Sequence, residues 1–435
     1  MLMKGKAALI TVLVTLSVVG ALAQDWPGYL GPKRDGTSTQ KGLLRTWPKE
    51  GPNVLWTVPV GVGFGGPAVS GGKVYLLDRD EKIGDALRVF DLATGKELWS
   101  FAYDAPGSFM FPGSRTSPTV DGEMVYTCGP MGDLYAISTR THKPVWHKNI
   151  WKEFGGSGGA PGAELPRWGI VQNPLVYGAL LIVAPQAPQA SVVAFDKLSG
   201  ELKWTSPGLA GAAGYVSPSI VKVGGEDHLV MVTAAQGFGR SASGGSVNGL
   251  DPLNGKALWT YTNWQCGIPV PHAVDAGEGR VLITGGYRAG SAMIKVEKKA
   301  DGSYGVTELF KNPDFGSHTQ PPILYNGHFY AQYTTNERSD GLISMSMDGK
   351  VNWRTGEEPP FVRGGAILAD GLLLATDGNT KVYLIEPNAT AFKPLASAEL
   401  LEPGENWAPL ALADGKLLIR DQKSLKCLAV GQQAR

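Results

Sequence analysis

Six histidines, three cysteines and a scatter of acids are what this chain offers for chemistry, and their spacing argues against most of it. His272 and His318 fall at comparable places in neighbouring sequence units, which would suit a shared metal. Two imidazoles with no third ligand at recognisable spacing do not define a zinc or copper site, however. His142, His147, His228 and His328 fall in hairpins or at strand edges and read as surface residues. The acids Asp104, Glu153, Glu164, Glu337 and Asp340 lie scattered in separate loops, so no pair is marked for acid–base hydrolysis. No nucleophile elbow, phosphate loop or dinucleotide fingerprint stands between a strand and a helix, and the glycine-rich stretch from Gly61 to Gly66 reads as turn. Cys128, Cys266 and Cys427 are too far apart to show a disulfide framework. Cys128 and Cys427 sit in alternating apolar runs and read as buried, whereas Cys266 falls in a loop with no basic neighbour to activate its thiol. These absences weigh against a conventional enzyme and against a resident metal.

Composition says what scaffold must position whatever site exists. With 59 glycines and 30 prolines in 435 residues, about a fifth of the chain breaks regular structure, so long helical bundles are excluded. The 43% of hydrophobic residues is ample for a core, and 18% charged is too few for a disordered chain. Forty Lys and Arg against 39 Asp and Glu leave no field to attract nucleic acid. The first 23 residues read as a cleaved signal peptide: Lys4 and Lys6 form a positive start, Ala7–Leu22 an apolar stretch, and Ala21-Leu22-Ala23 a cleavage site before Gln24. The mature chain is therefore expected to be periplasmic or secreted. Stable membrane insertion is not expected, because the apolar run is short for a span of about 20 residues.

Past an N-terminal extension over 24–52, the chain repeats itself. Asp91-Leu-Ala-Thr-Gly95-Lys-Glu-Leu-Trp99 recurs as Asp196-Lys-Leu-Ser-Gly200-Glu-Leu-Lys-Trp204 and Asp251-Pro-Leu-Asn-Gly255-Lys-Ala-Leu-Trp259, with worn copies ending at Trp146 and Trp353. Asp bonds the turn backbone and Gly supplies positive φ, so each phrase is a hairpin. Roughly 20 to 25 residues ahead of each phrase lies a second hairpin signal, such as Gly71-Gly72, Asp121-Gly122 or Asp414-Gly415, giving eight marks in all. Two hairpins make four antiparallel strands, and a unit of that length is a propeller blade. The expectation is an all-β, eight-bladed β-propeller over 53–435. The last unit has three strands and Asn53–Val58 has the pattern of an outer strand, so the N-terminal strand is expected to pair with the C-terminal blade. The tryptophans closing each phrase read as wedges packed between sheets.

The long loops, Phe101–Gly113, Trp151–Trp168, Ala235–Ser246, Gly285–Ser291 and Thr334–Gly341, gather on one face, where binding is expected. Residues just before the innermost strands border the central channel beside that face. They are polar or aromatic: Arg115, Trp168, Gln172, Asn173, Tyr215, His272, His318, Gln320, Arg363, Asn406 and Trp407. Such a set suits an anionic or aromatic small molecule, or a peptide segment. The other reading is that these groups fill the channel and satisfy one another through water.

The phrase apolar-Asp-x-x-Thr/Ser/Asn-Gly-Lys/Glu-x-x-Trp, preceded by Ser/Asn-Pro and Asp-Gly-x-Val-Tyr, resembles the PQQ-like repeat of quinoprotein and BamB-type β-propellers. The opening Trp26-Pro-Gly-Tyr-Leu-Gly31-Pro-Lys-Arg-Asp-Gly36 is similar to the start of many exported proteins of that kind. The resemblance implies one of two functions. Quinoprotein dehydrogenases of alcohols or sugars hold pyrroloquinoline quinone with calcium, against a disulfide of adjacent cysteines that this sequence lacks. The outer-membrane assembly scaffold needs no cofactor and binds other proteins. The sequence therefore points to an exported, non-catalytic binding or scaffold module for an envelope protein or a small ligand, with the quinone-dependent dehydrogenase as the alternative.

Overall fold

The computed structural model describes residues 24–157, 165–237, 242–334 and 339–432. The expected signal peptide over 1–23 lies outside them, as do Glu164 and Glu337 among the loop acids.

The turn phrase builds its hairpin as its chemistry dictates. Asp91 Oδ1 accepts hydrogen bonds from the Ala93 and Thr94 amides and from Thr94 Oγ1, at 3.1, 2.8 and 2.7 Å. Gly95 follows at φ 72°, where a side chain would be strained, and donates its amide to Asp91 O at 2.9 Å. Asp196 and Gly200 repeat the arrangement. These hairpins and the Asp-Gly type turns divide the chain into blades that occupy residues 68–104, 119–149, 175–205, 219–261, 274–312, 323–354 and 366–399, numbered 1 to 7 here. Blade 8 joins Ala411–Ala413, Lys416–Arg420 and Ser424–Ala429 to the N-terminal strand Val54–Pro59, which pairs antiparallel with Ser424–Ala429.

All eight outer strands share one irregularity that simple alternation does not show. The pairing slips by one residue at Leu55, Leu98, Val145, Lys203, Leu258, Leu309, Asn352 and Leu395, each time just before the tryptophan or its substitute. A bulge of this kind re-aims the next side chain. At Trp56, Trp99, Trp146, Trp204 and Trp353 it sends the indole onto the turn of the following blade, whereas Trp259 stays on its own blade against Gly249 and His228. Trp56 lies over Gly95, Trp146 over Gly200 and Trp204 over Gly255, so closely that a Cβ on those glycines would meet the ring at 2.7, 2.8 and 2.5 Å. Phe310 takes the same place over Gly349. Trp56, Trp146 and Trp353 also donate Nε1–H to a carbonyl of the next blade, at Leu92, Lys197 and Asn388. The bulged Leu98, Val145 and Leu309 are exposed as the counterpart of this twist.

The apolar core therefore lies between blades. Separate hydrophobic clusters join blades 1 and 2, 2 and 3, 3 and 4, 4 and 5, 5 and 6, and 6 and 7, and one large cluster joins 7, 8 and 1. Residues 26–44 cross the turn face as a strap, bonding in order to Val69 of blade 1, Val120 of blade 2, Pro174 at blade 3, Leu368 of blade 7 and Val430 of blade 8. Thr37–Ser38 adds a short parallel strand to the inner edge of blade 7. No helix among the described residues is long and apolar enough to cross a membrane.

Candidate ligand site

The inner strands begin around an axial channel, and the residue four positions ahead of each start points into it. Phe64, Arg115, Val171, Tyr215, Val270, Thr319 and Trp407 occupy that position for seven blades and line one cavity of about 170 Å³ on the long-loop face. In blade 7 the residue at that position, Val362, is exposed, and its neighbour Arg363 lines the cavity instead. Tyr29 of the strap closes the cavity on the turn side, so the channel is a blind pocket and not a pore.

Two guanidiniums line this pocket without a direct ion pair, although Glu81 acts on Arg115 from a distance. Arg115 donates Nη2–H to Phe111 O and lies over the rings of Phe109 and Phe64, at 5.2 and 5.9 Å. Burial lowers it to about 10, which leaves it charged at neutral pH. Arg363 lies 4.8 Å over the Trp407 ring. Neither has an ion-pair partner among the described residues, and the Nε of each is buried with no hydrogen-bond acceptor. Aromatic faces supply part of the missing stabilisation, as cation–π contacts do. Phe64, Phe111 and Trp407 form one aromatic wall, with centroids 5.3 to 6.0 Å apart, and Trp168 continues it, 6.3 Å from Phe111 and 4.9 Å from Tyr215. His318 is buried, with Nδ1 3.1 Å from Thr334 Oγ1; burial and then Arg363 push it down to about 3, so it is neutral.

Of the eleven residues marked from sequence, the structure brings Arg115, Trp168, Asn173, Tyr215, His318, Gln320, Arg363 and Trp407 to this cavity. Asn173 is already committed, because its side chain takes the Ser117 amide at 2.7 Å and donates to Ser217 Oγ at 3.0 Å, tying three blades together. Gln172, Asn406 and His272 stand apart. Gln172 Nε2 bonds Gly214 O at 3.0 Å, and Asn406 Nδ2 bonds Glu402 O and Asn379 O. His272 and His318 are not comparably placed: His318 precedes its inner strand by five residues and His272 by two. His272 lies against Tyr29 and lines a separate depression on the turn side. Sequence reasoning missed Phe64, Phe111 and Tyr287, of which Phe64 carried the clearest signal, three residues ahead of Pro67 just as Arg115 precedes Pro118.

One surface reading is corrected. His228 is 1% exposed, because the bulged Trp259 donates Nε1–H to its Nδ1 at 2.9 Å and Tyr304 of blade 5 packs edge-on against it. Cys266 is buried, and burial pushes its thiol up to about 12, so its loop position does not make it reactive. All three cysteines are free.

An eight-bladed ring whose sheets dock tryptophan on glycine defines a β-propeller of the PQQ-like repeat class. A family model described as outer membrane protein assembly factor BamB matches residues 35–165 and 87–337, and the chain belongs to that family. Among solved structures, the quinohemoprotein alcohol dehydrogenase of Comamonas testosteroni is similar at 14% identity and a TM-score of 0.65, over 95% of this chain and 81% of that one. BamB from Moraxella catarrhalis is similar at 12% identity and a TM-score of 0.57, over 87% and 99%. A europium-containing methanol dehydrogenase is similar at 12% and 0.62, over 91% and 89%. Likeness at this identity is a likeness of fold. No curated protein matches the chain.

Proposed function

We propose that the protein is an exported, non-catalytic binding module that captures a small anion in the axial pocket of its long-loop face. The observation that carries this reading is the pair Arg115 and Arg363, two half-buried guanidiniums without an ion-pair partner among the described residues, on one aromatic-walled cavity. A guanidinium partly withdrawn from water with no ion pair lacks stabilisation that an anionic guest would supply. The pocket opens only toward the loops, which suits capture from solvent and presentation to a partner in the envelope.

The quinone-dependent alternative fits less well. The cavity lining includes no Asp or Glu to hold a divalent cation, and no group of three His, Cys, Asp or Glu among the described residues is placed to bind a metal. The free cysteines are distant from one another in sequence and cannot form the adjacent-cysteine disulfide. The guanidiniums would suit the acid groups of the quinone, but its metal partner has no ligands in this lining.

Changing Arg115, Arg363 and Trp407 together to Ala should abolish capture of aromatic carboxylates in calorimetric titration while moving the melting temperature by only a few degrees. Undiminished binding by the triple variant would discard the site. In parallel, dye reduction by the protein supplied with the quinone, Ca²⁺ and an alcohol or sugar would replace this reading with the dehydrogenase.

A further inference from the structure

The axial pocket carries two positive charges, and they reach it from different blades. Arg115 stands ahead of blade 2 and Arg363 ahead of blade 7, three positions apart in a ring of eight. Between them the wall is aromatic: Phe64 leads into blade 1 and Trp407 into blade 8, with ring centroids 5.3 Å apart. Each guanidinium leans on its own end of that wall, Arg115 5.9 Å from the Phe64 centroid and Arg363 4.8 Å from that of Trp407. Their electrostatic surroundings are separate as well. Arg115 feels Glu81, Arg79 and Tyr215, whereas the charge of Arg363 falls on His318. The two cations are thus held at two ends of one cavity and do not converge on a point.

The nitrogens that can meet a guest are the terminal ones. Nε of both side chains is buried and Arg115 Nη2 is given to Phe111 O, but Arg115 Nη1 and both Nη of Arg363 remain accessible and bond no described residue. Such N–H groups form a planar fork that fits a carboxylate. No Asp or Glu lines the cavity to occupy either fork, and Glu81 and Arg79 act on Arg115 with opposite signs. A guest with one negative charge answers one fork and leaves the other cation on the same void without a counter-charge. A guest with two answers both. An apolar cavity of about 150 Å³ takes one benzene ring, so a volume of about 170 Å³ takes a single ring with its substituents.

Resting on the small-anion reading above, we infer that the ligand is a one-ring aromatic diacid, with one carboxylate on Arg115 and the other on Arg363. Its ring lies against the aromatic wall that joins the two guanidiniums, and the pocket selects by the number of charges at a given size.

The test is calorimetric titration of the purified protein at neutral pH with terephthalate, its monomethyl ester and benzoate. The ester keeps the size of the diacid and removes one charge. The expected result is binding of terephthalate at least about tenfold tighter than either monoacid, since a hydrogen bond between charged groups contributes that factor or more. In Arg363→Gln the preference for terephthalate over its ester should shrink to less than about threefold. The wild-type ratios alone suffice should that variant fail to fold. Equal binding of terephthalate and its ester would overturn the diacid while leaving the anion pocket standing, and a preference that survives in Arg363→Gln would do the same. Failure of all three acids to bind would overturn both this inference and the reading it rests on.

Discussion

Tryptophan, glycine and a polar neighbour are used at both the rim and the axis of this propeller, with opposite outcomes. At the rim, Trp56, Trp146 and Trp353 bond a carbonyl on the next blade, and the turn aspartates are saturated by the amides around them. Trp99 and Trp204 leave Nε1 unbonded, yet no space is left beside their rings: Trp99 stacks on His142 at 4.4 Å and Trp204 covers Gly255. At the axis, Trp168 Nε1 and the Nε of Arg115 and Arg363 are buried and unbonded in side chains that line the cavity. An orphaned donor by itself is therefore a cost of packing. Half-buried cations and aromatic rings gathered around one void mark a place for a guest.

Changes at the rim should alter stability and spare binding, and changes at the axis should do the reverse. The largest effect is expected from Gly95→Val. Its Cβ would meet the Trp56 ring at 2.7 Å, at a φ that a β-branched residue does not tolerate. A loss of about 3 kcal/mol or more in denaturant unfolding is expected, with the affinity of the remaining folded protein for aromatic carboxylates unchanged. A variant with reduced affinity and intact stability would erase the distinction between the two regions.

Next comes acid stability, which bears on the axial histidines. Burial pushes both His272 and His318 down to about 3, whereas in the unfolded chain they take protons below about 6.5. Between those values the unfolded state binds more protons, so this contribution to stability is present above pH 6.5 and is lost as pH falls toward 3. Replacing both with Gln should flatten the fall in melting temperature between pH 6.5 and 4. An unchanged slope would mean that the imidazoles are not held neutral.

The smallest effect is assigned to Trp168→Phe, which removes one N–H from the axial pocket and keeps a ring. Affinity for aromatic carboxylates should drop by about three- to tenfold, in line with one hydrogen bond, with melting unaltered within a degree or two. A large loss of stability there would place Trp168 among the rim-like wedges.

Legibility in the sequence followed the same division. The turn phrases exposed the blades because Asp and Gly act within a few residues of each other, as at Asp91 and Gly95. The docking of Trp56 on Gly95 needed the bulge at Leu55, which depends on pairing with Ser424–Ala429 at the other end of the chain. Arg115, Tyr215 and Trp407 were found because each stands at a fixed distance before an inner strand. His272 and His318 fall at similar places in neighbouring sequence units, and only the start of each inner strand, two and five residues on, separates them. Asn173 and Gln172 looked alike as polar groups beside the channel, and only their partners on neighbouring blades showed that their hydrogen bonds were already spent.

Sequence alone determined the repeat, the number of blades and the face with long loops, because hairpin chemistry and loop length are properties of neighbours along the chain. Which polar atoms remain unsatisfied, and that the strap closes the channel with Tyr29, were decided by the assembled ring. Satisfaction is settled between residues hundreds of positions apart, and no local pattern records it.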